Sequence, residues 1–220
     1  MLLDHVLTIL DPQPGMVVVD CTIGWAGHGV ELLRRIGPEG RLVGVDLDAD
    51  NLLRAKQRLE EVGHRFTLHH ANFAGLANAL AAEGVVEVDC VLADLGMSSM
   101  QVDDSERGFS YVRDGPLDMR MDRSRGKTAA QLLATLPESE LRHALRELGD
   151  EPEAERIARG IVAARADGPI ERTGDLVRLI TEETQTIAWR LHPQRDKWNL
   201  HPAARTFQAL RILVNRELAN

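Results

Sequence analysis

The segment Val17-Val18-Val19-Asp20-Cys21-Thr22-Ile23-Gly24-Trp25-Ala26-Gly27-His28-Gly29 constrains this chain more than any other. Four consecutive apolar residues, Met16 to Val19, fit a short strand covered on both faces. Gly24, Ala26, Gly27 and Gly29 then fit a tight turn on which a ligand can lie against the backbone. The period that follows predicts a helix to about Ile36, whose first N–H groups and positive dipole end face the same ligand. A second strand, predicted over Arg41–Asp46, ends in an acid. Asp46 lies 22 positions after Gly24, close to the roughly 20 expected where an acid at the next strand end holds a ribose. The first third of the chain therefore reads as a holder for a nucleoside.

The surrounding segments alternate in period. Leu2, Leu3, Val6, Leu7, Ile9 and Leu10 have helical spacing, and Asp11-Pro12-Gln13-Pro14-Gly15 ends that helix. Further helices are predicted over 48–62 and 73–82, and further strands over 66–69 and 88–94. Strands separated by helices predict a right-handed, parallel α/β sheet. After Asp94 the pattern changes. Residues 95–125 read as a loop dense in charge, glycine and methionine. From Thr128 to about Ile187 the helical period takes over, with starts at Thr128 and Pro137. Ala154, Ile157, Ala158, Ile161 and Val162 form one apolar stripe, and Thr173 is placed to cap another helix. No strand is predicted over 125–200, and a last helix is predicted over 202–218. The expected organisation is a sheet domain over 1–104, a helical insertion over 105–200, and a return to the sheet domain over 201–220.

Several classes are excluded or disfavoured. No apolar run approaches the roughly 20 residues that span a bilayer, so no membrane partner is expected. Cys21 and Cys90 form no Cys-x-x-Cys pair, and the N-terminus lacks a signal-peptide pattern, which predicts buried thiols in a reducing cytoplasm. No metal-ligand cluster is legible. The net charge of −8 opposes nonspecific coating of nucleic acid but leaves room for a local RNA site.

The turn fits a nicotinamide or flavin dinucleotide as well as S-adenosylmethionine. The stretch Asp94-Leu95-Gly96-Met97-Ser98-Ser99-Met100-Gln101 is more selective. It leaves the fourth strand at its C-terminal end, where open α/β sheets place ligands. An acid there, beside exposed carbonyls, can accept hydrogen bonds from an exocyclic amine, which suits methyl transfer to an amino nitrogen. In 103–127 the cations Arg107, Arg113, Arg120, Arg123, Arg125 and Lys127 alternate with acids. That stretch fits a solvated ion-pair surface or contacts to phosphates.

Four motifs carry a family resemblance: Asp94-Leu95-Gly96-Met97-Ser98-Ser99-x-Gln101, Arg107-Gly108-Phe109-Ser110, the run from Asp114-Gly115-Pro116-Leu117-Asp118 through Met119-Arg120-Met121-Asp122, and the segment from His201-Pro202-Ala203-Ala204-Arg205 to Ile212. With them the chain, nearly end to end, resembles the bacterial methyltransferases that modify N4 of a cytosine in small-subunit ribosomal RNA. The resemblance implies a class I methyltransferase sheet interrupted by a helical domain, with S-adenosylmethionine as cofactor. It implies cofactor contacts at Gly24, Ala26, Gly27, His28, Asp46, Phe73, Asp94 and Gln101, with Asp94 also the candidate catalytic residue. Ala26 stands where the family has glycine, the family's His-x-Pro-Val entry segment is absent before Leu2, and the chain stops at Asn220, where relatives continue the sheet. The fourth strand is therefore expected at an exposed edge, with either self-association, in its simplest form a homodimer, or a loosened site around Asp94. A noncatalytic scaffold or RNA-binding protein is the alternative, resting on Ala26 and the short C-terminus.

Overall fold

The computed structural model describes residues 3–185 and 201–219, and the chain divides into two compact units, Met1–Gly96 and Met97–Ala219. The first unit runs α1 (Leu3–Leu10), β1 (Val17–Asp20), α2 (Gly27–Ile36), β2 (Arg41–Asp46), α3 (Ala49–Glu60), β3 (Phe66–His70), α4 (Leu76–Ala82) and β4 (Cys90–Leu92). The strands form one parallel sheet in the order β3-β2-β1-β4. This is the fold class expected from the alternation. Val18, Val19, Leu42, Val43 and Val45 are fully buried, as befits central strands of a sheet with helices packed against it. The main core joins the buried stripe of α2 (Val30, Leu33, Ile36) to Leu42, Ala55 and Leu59.

Three local departures have identifiable causes. Residues 88–94 were expected as strand, yet β4 keeps only three of them. Upstream, the Asp89 carboxylate accepts the Val17 N–H at 2.8 Å. Downstream, the Asp94 N–H leaves the ladder for the Thr22 hydroxyl, also at 2.8 Å. The helix expected from Phe73 starts as a single 3₁₀ turn, Phe73–Gly75, because the Asn72 side chain caps the Ala74 N–H. Residue 2 of the first predicted helix lies outside the described residues.

The second unit contains α5 (Ser99–Asp103), α6 (Ala129–Thr135), α7 (Glu138–Gly149), α8 (Ala154–Ala164), α9 (Thr173–Thr184) and α10 (Ala204–Asn215). Thr128 does start a helix, through a capping box with Gln131, and Pro137 is the N-cap of α7. Thr173 does not cap α9: it is the first helical residue, and its hydroxyl instead accepts the Gly115 N–H and donates to the Arg113 carbonyl. The helix end is satisfied from elsewhere, since Asp114 Oδ1 accepts the Gly174 N–H at 3.0 Å. Residues 186–200, including the predicted helical end near Ile187, lie outside the described residues.

Two readings of this unit change. The stretch 103–127 is more than a loop: its ends carry exposed ion pairs, such as Arg113–Asp103, but its middle is buried. Leu117 and Met119 are 1% exposed, and Arg107, Asp118 and Asp122 are buried among ion pairs and carbonyls. Leu117 N–H bonds the Glu171 carbonyl, and the Ala129 and Ala130 N–H groups bond the Asp118 and Leu117 carbonyls. The Asn215 amide holds Met119 and Met121. The run from Asp114 to Asp122 thus ties together α6, α9 and α10. The last helix was expected back on the sheet, but its buried face, Phe207, Ala209 and Leu210, lies in the core of the helical unit with Leu141, Leu145 and Ile157. The spacing of apolar residues shows that a helix has a buried face, not what covers it.

Candidate functional site

The parallel order places β2 and β3 on one side of β1 and β4 on the other. The chain reverses its direction of growth between β1 and β4, where open α/β sheets form a ligand crevice at the C-terminal strand ends. Three carboxylates stand at these ends: Asp20 as the last residue of β1, Asp46 as the last residue of β2, and Asp94 just beyond β4.

The segment after β1 forks between its neighbours. Cys21 N–H bonds the Leu92 carbonyl of β4 at 2.8 Å, and Ile23 N–H bonds the Val45 carbonyl of β2 at 3.0 Å. Thr22 N–H turns back to Asp20 Oδ1 at 3.0 Å. Gly24 N–H donates to Asp46 Oδ2 at 2.8 Å. Gly24 and Ala26 both lie in the left-handed region, at φ 50° and 57°. The turn therefore does require positive φ at the position where the family has glycine. Ala26 bears that conformation, and its methyl is buried in the core cluster with Ile23 and Val30, so it does not crowd the surface a ligand would meet. Trp25 is fixed from outside by α3: the Arg54 guanidinium sits 4.3 Å from its ring centre, and Arg58 bonds its carbonyl.

Helix α2 begins at Gly27, so the N–H groups of Gly27, His28 and Gly29 have no partner within the helix. His28 Nε2 is a buried nitrogen without a hydrogen-bond partner in the described structure. Asp46 also accepts the Asp48 N–H at 2.8 Å and lies 3.4 Å from the Asn51 amide. Burial pushes its carboxyl above the ordinary range, and those donors oppose the shift. Asp20 is 1% exposed, and burial raises it to about 7, with the charges of Asp46 and Asp94 adding to the shift. Asp94 is exposed, held through its N–H by Thr22 Oγ1.

The first unit thus brings Gly24, Ala26, Gly27, His28, Asp46 and Asp94 to one end of the sheet. Phe73 follows β3 and is half-buried against Val19, Cys21 and Val43, a core contact. Gln101 belongs to the second unit. It completes the capping box of α5: its N–H donates to Ser98 Oγ at 3.2 Å, and its Oε1 accepts the Ser98 N–H at 3.0 Å. The Ser-x-x-Gln spacing of that motif is thereby explained locally. Asp20 and Thr22 were missed in the sequence. Their signal was an acid ending an apolar strand with a hydroxyl two residues on, the pattern of a side chain bonding its own turn. Among the described residues no group of His, Cys, Asp and Glu is placed to hold a metal ion, and no helix is long and apolar enough to cross a membrane.

The residues present fit a nucleoside cofactor. Asp46 offers a carboxylate with acceptor capacity beyond its present donors, beside a turn and helix end rich in N–H groups.

Comparison with known proteins agrees in kind. Proteins named ribosomal RNA small subunit methyltransferase H are similar over nearly the whole chain. That of Geobacter sp. (strain M21) is 50% identical over 215 residues, which cover 98% of this chain and 67% of that protein. Those of Leifsonia xyli subsp. xyli and Symbiobacterium thermophilum are 47% and 46% identical, covering 99% of this chain and 65% and 66% of theirs. The chain spans about two thirds of the length of these relatives. A model described as the MraW methylase family matches residues 1–220, and with the parallel sheet and the glycine-rich turn after β1 already in place, the chain belongs to that family.

Proposed function

We propose that this chain uses S-adenosylmethionine to methylate the exocyclic N4 amine of a cytosine in small-subunit ribosomal RNA. The observation that supports it most directly is the Gly24–Asp46 contact at 2.8 Å, which sets an acidic acceptor beside the glycine-rich turn. In this reading Asp46 accepts the ribose hydroxyls, and the backbone of Gly24–His28 holds the methionine end. Bound S-adenosylmethionine supplies an electrophilic sulfonium methyl.

The chain's own contribution to the chemistry is at Asp94. The lone pair of a cytosine amine is delocalised into the ring, so the amine is a weak nucleophile. Hydrogen bonds from it to the Asp94 carboxylate or the Leu95 carbonyl favour the localised form and orient it. Neither cysteine serves as a nucleophile in this reading, since Cys21 is buried and burial raises both thiols. The target base leaves its stack to reach the site, which is least costly in an RNA loop.

The noncatalytic alternative is weakened at Ala26, because its methyl is buried in the core with Ile23 and Val30 and its left-handed strain is only about 1 kcal/mol. Calorimetry with S-adenosylhomocysteine, together with tritiated methyl incorporation into small subunits, tests the proposal. Binding and transfer by the wild type, with transfer lost in a folded Asp94→Ala variant, are expected. NAD binding in place of S-adenosylhomocysteine would overturn it.

A further inference from the structure

The Thr22 side chain stands where two parts of the proposed site meet. Its Oγ1 accepts the Asp94 N–H at 2.8 Å and lies 3.5 Å from Asp20 Oδ1. Asp20 is buried and fixed at the end of β1. The β1–β4 pairing ends at Asp20 and Leu92, and the Cys21 N–H to Leu92 carbonyl bond is the last backbone tie to β4. Residues 93–96 beyond it are exposed, and among the described residues Thr22 holds them through the Asp94 N–H. A hydroxyl is suited to this place because it donates to a carboxylate and accepts from an N–H at once.

We infer that Thr22 is a positioning residue: its hydroxyl, spanning the Asp20 carboxylate and the Asp94 N–H, holds the Asp94 turn in place beside the glycine-rich turn. The inference rests on the reading of Asp94 as acceptor of the substrate amine. Through Thr22 the separation between that acceptor and the Gly24–Asp46 pair is set by one short hydrogen bond, the 2.8 Å contact to the Asp94 N–H. Two residues along the same segment, Gly24 donates to Asp46, so residues 22 and 24 tie β1's exit to both flanking carboxylate sites. Loss of the hydroxyl frees the Asp94 turn without touching the contacts made by Asp46.

The test compares Thr22→Val, which keeps the shape and removes the hydroxyl, with Thr22→Ser, which keeps it. Thr22→Ala replaces the valine variant if that one does not fold. Amide exchange followed by NMR is expected to quicken about tenfold at Asp94 in the valine variant, the scale of one lost hydrogen bond. Cys21 and Gly24 exchange as in the wild type, and the serine variant matches the wild type throughout. In methyl transfer, kcat falls in the valine variant while affinity for S-adenosylhomocysteine stays within about threefold, and serine restores kcat. Wild-type exchange at Asp94 without the hydroxyl, or equal loss in the serine and valine variants, overturns the inference. Affinity falling in step with kcat overturns it as well, since that marks damage to the whole turn. Failure of the wild type to bind the cofactor or transfer methyl is a separate result: it removes the functional reading, while the exchange measurement still decides the positioning role.

Discussion

The Gly24 N–H meets the Asp46 carboxylate at 2.8 Å, closing 22 positions of chain into a loop that starts and ends at the C-terminal edge of the sheet. One carboxylate thus does two things in the proposed reading: it shapes the turn and it receives the ribose. The variants of Asp46 separate these. Asp46→Asn keeps an acceptor for Gly24 but loses charge, while Asp46→Ala loses both. Affinity for S-adenosylhomocysteine is expected to fall by roughly 1.5–3 kcal/mol in Asp46→Ala, the scale for hydrogen bonds to a charged group, and by less in Asp46→Asn. Titration calorimetry measures both, and unchanged affinity in the alanine variant would sink the ribose assignment.

Asp20 makes the folded first unit sensitive to pH. Its folded pKa, about 7, lies above the ordinary carboxylate value because burial disfavours the charge. A raised pKa means the folded state holds the proton more tightly, so the stabilisation is full below about pH 4 and is lost as pH rises through about 7. Asp20→Asn keeps the oxygen that accepts the Thr22 N–H and removes the titration. It is expected to be more stable than the wild type at pH 8, by about 1–3 kcal/mol, with the difference shrinking towards pH 4. Urea unfolding at several pH values checks this, and an unchanged pH dependence contradicts it.

Ala26 sets two small effects against each other. Glycine in its place relieves a left-handed alanine, a gain on the order of 1 kcal/mol. It also removes a buried methyl worth about 0.8 kcal/mol and loosens the unfolded chain. The expected change for Ala26→Gly is therefore within about 1 kcal/mol of zero. A thermal unfolding midpoint within a few degrees of the wild type agrees with this, and a large loss would show that the methyl packs more tightly than its surroundings indicate.

The run from Asp114 to Asp122 is expected to fail structurally before it fails in any other way. A Cβ on Gly115 would come within 2.0 Å of the Ser105 carbonyl oxygen, so Gly115→Ala forces backbone to move. Asn215→Ala leaves the Met121 N–H and the Met119 carbonyl without their partner, a loss of about 1–3 kcal/mol. Both variants should unfold at lower denaturant than the wild type, by circular dichroism. If either matched the wild type in stability while losing RNA affinity, the run would be a contact surface instead of a tie.

Strand β4 is outermost among the described strands, and Val91 is 48% exposed. A strand with a free edge invites pairing with another chain. This 220-residue chain is expected to self-associate with rising concentration, and Val91→Lys to reduce it, as read by light scattering. A monomer at all concentrations with protected amides at Val91 and Leu92 would show that the edge is covered.

What the sequence determined by itself was local. Short apolar runs placed β1 to β3 and a period of 3.6 placed the helices around them, because a strand buried on both faces is apolar throughout while a helix buries one stripe. The Gly24–Asp46 relation was legible too, since a strand, a turn and a helix have nearly standard lengths and bring the next strand end back to the turn. The tertiary structure decided what depends on partners far along the chain. The Asp114 to Asp122 stretch alternates charge and apolar residues without a period, and its meaning lies in bonds to Gly174, Arg172 and Asn215, up to 96 positions away. The last helix carried a clear apolar face, yet only packing showed that α7 and α6 cover it. Asp20 reads as an ordinary acid until burial and two neighbouring carboxylates, brought from β2 and β4, raise its proton affinity. Local order is written in neighbouring residues, whereas burial, charge coupling and the choice of partner exist only once distant segments meet.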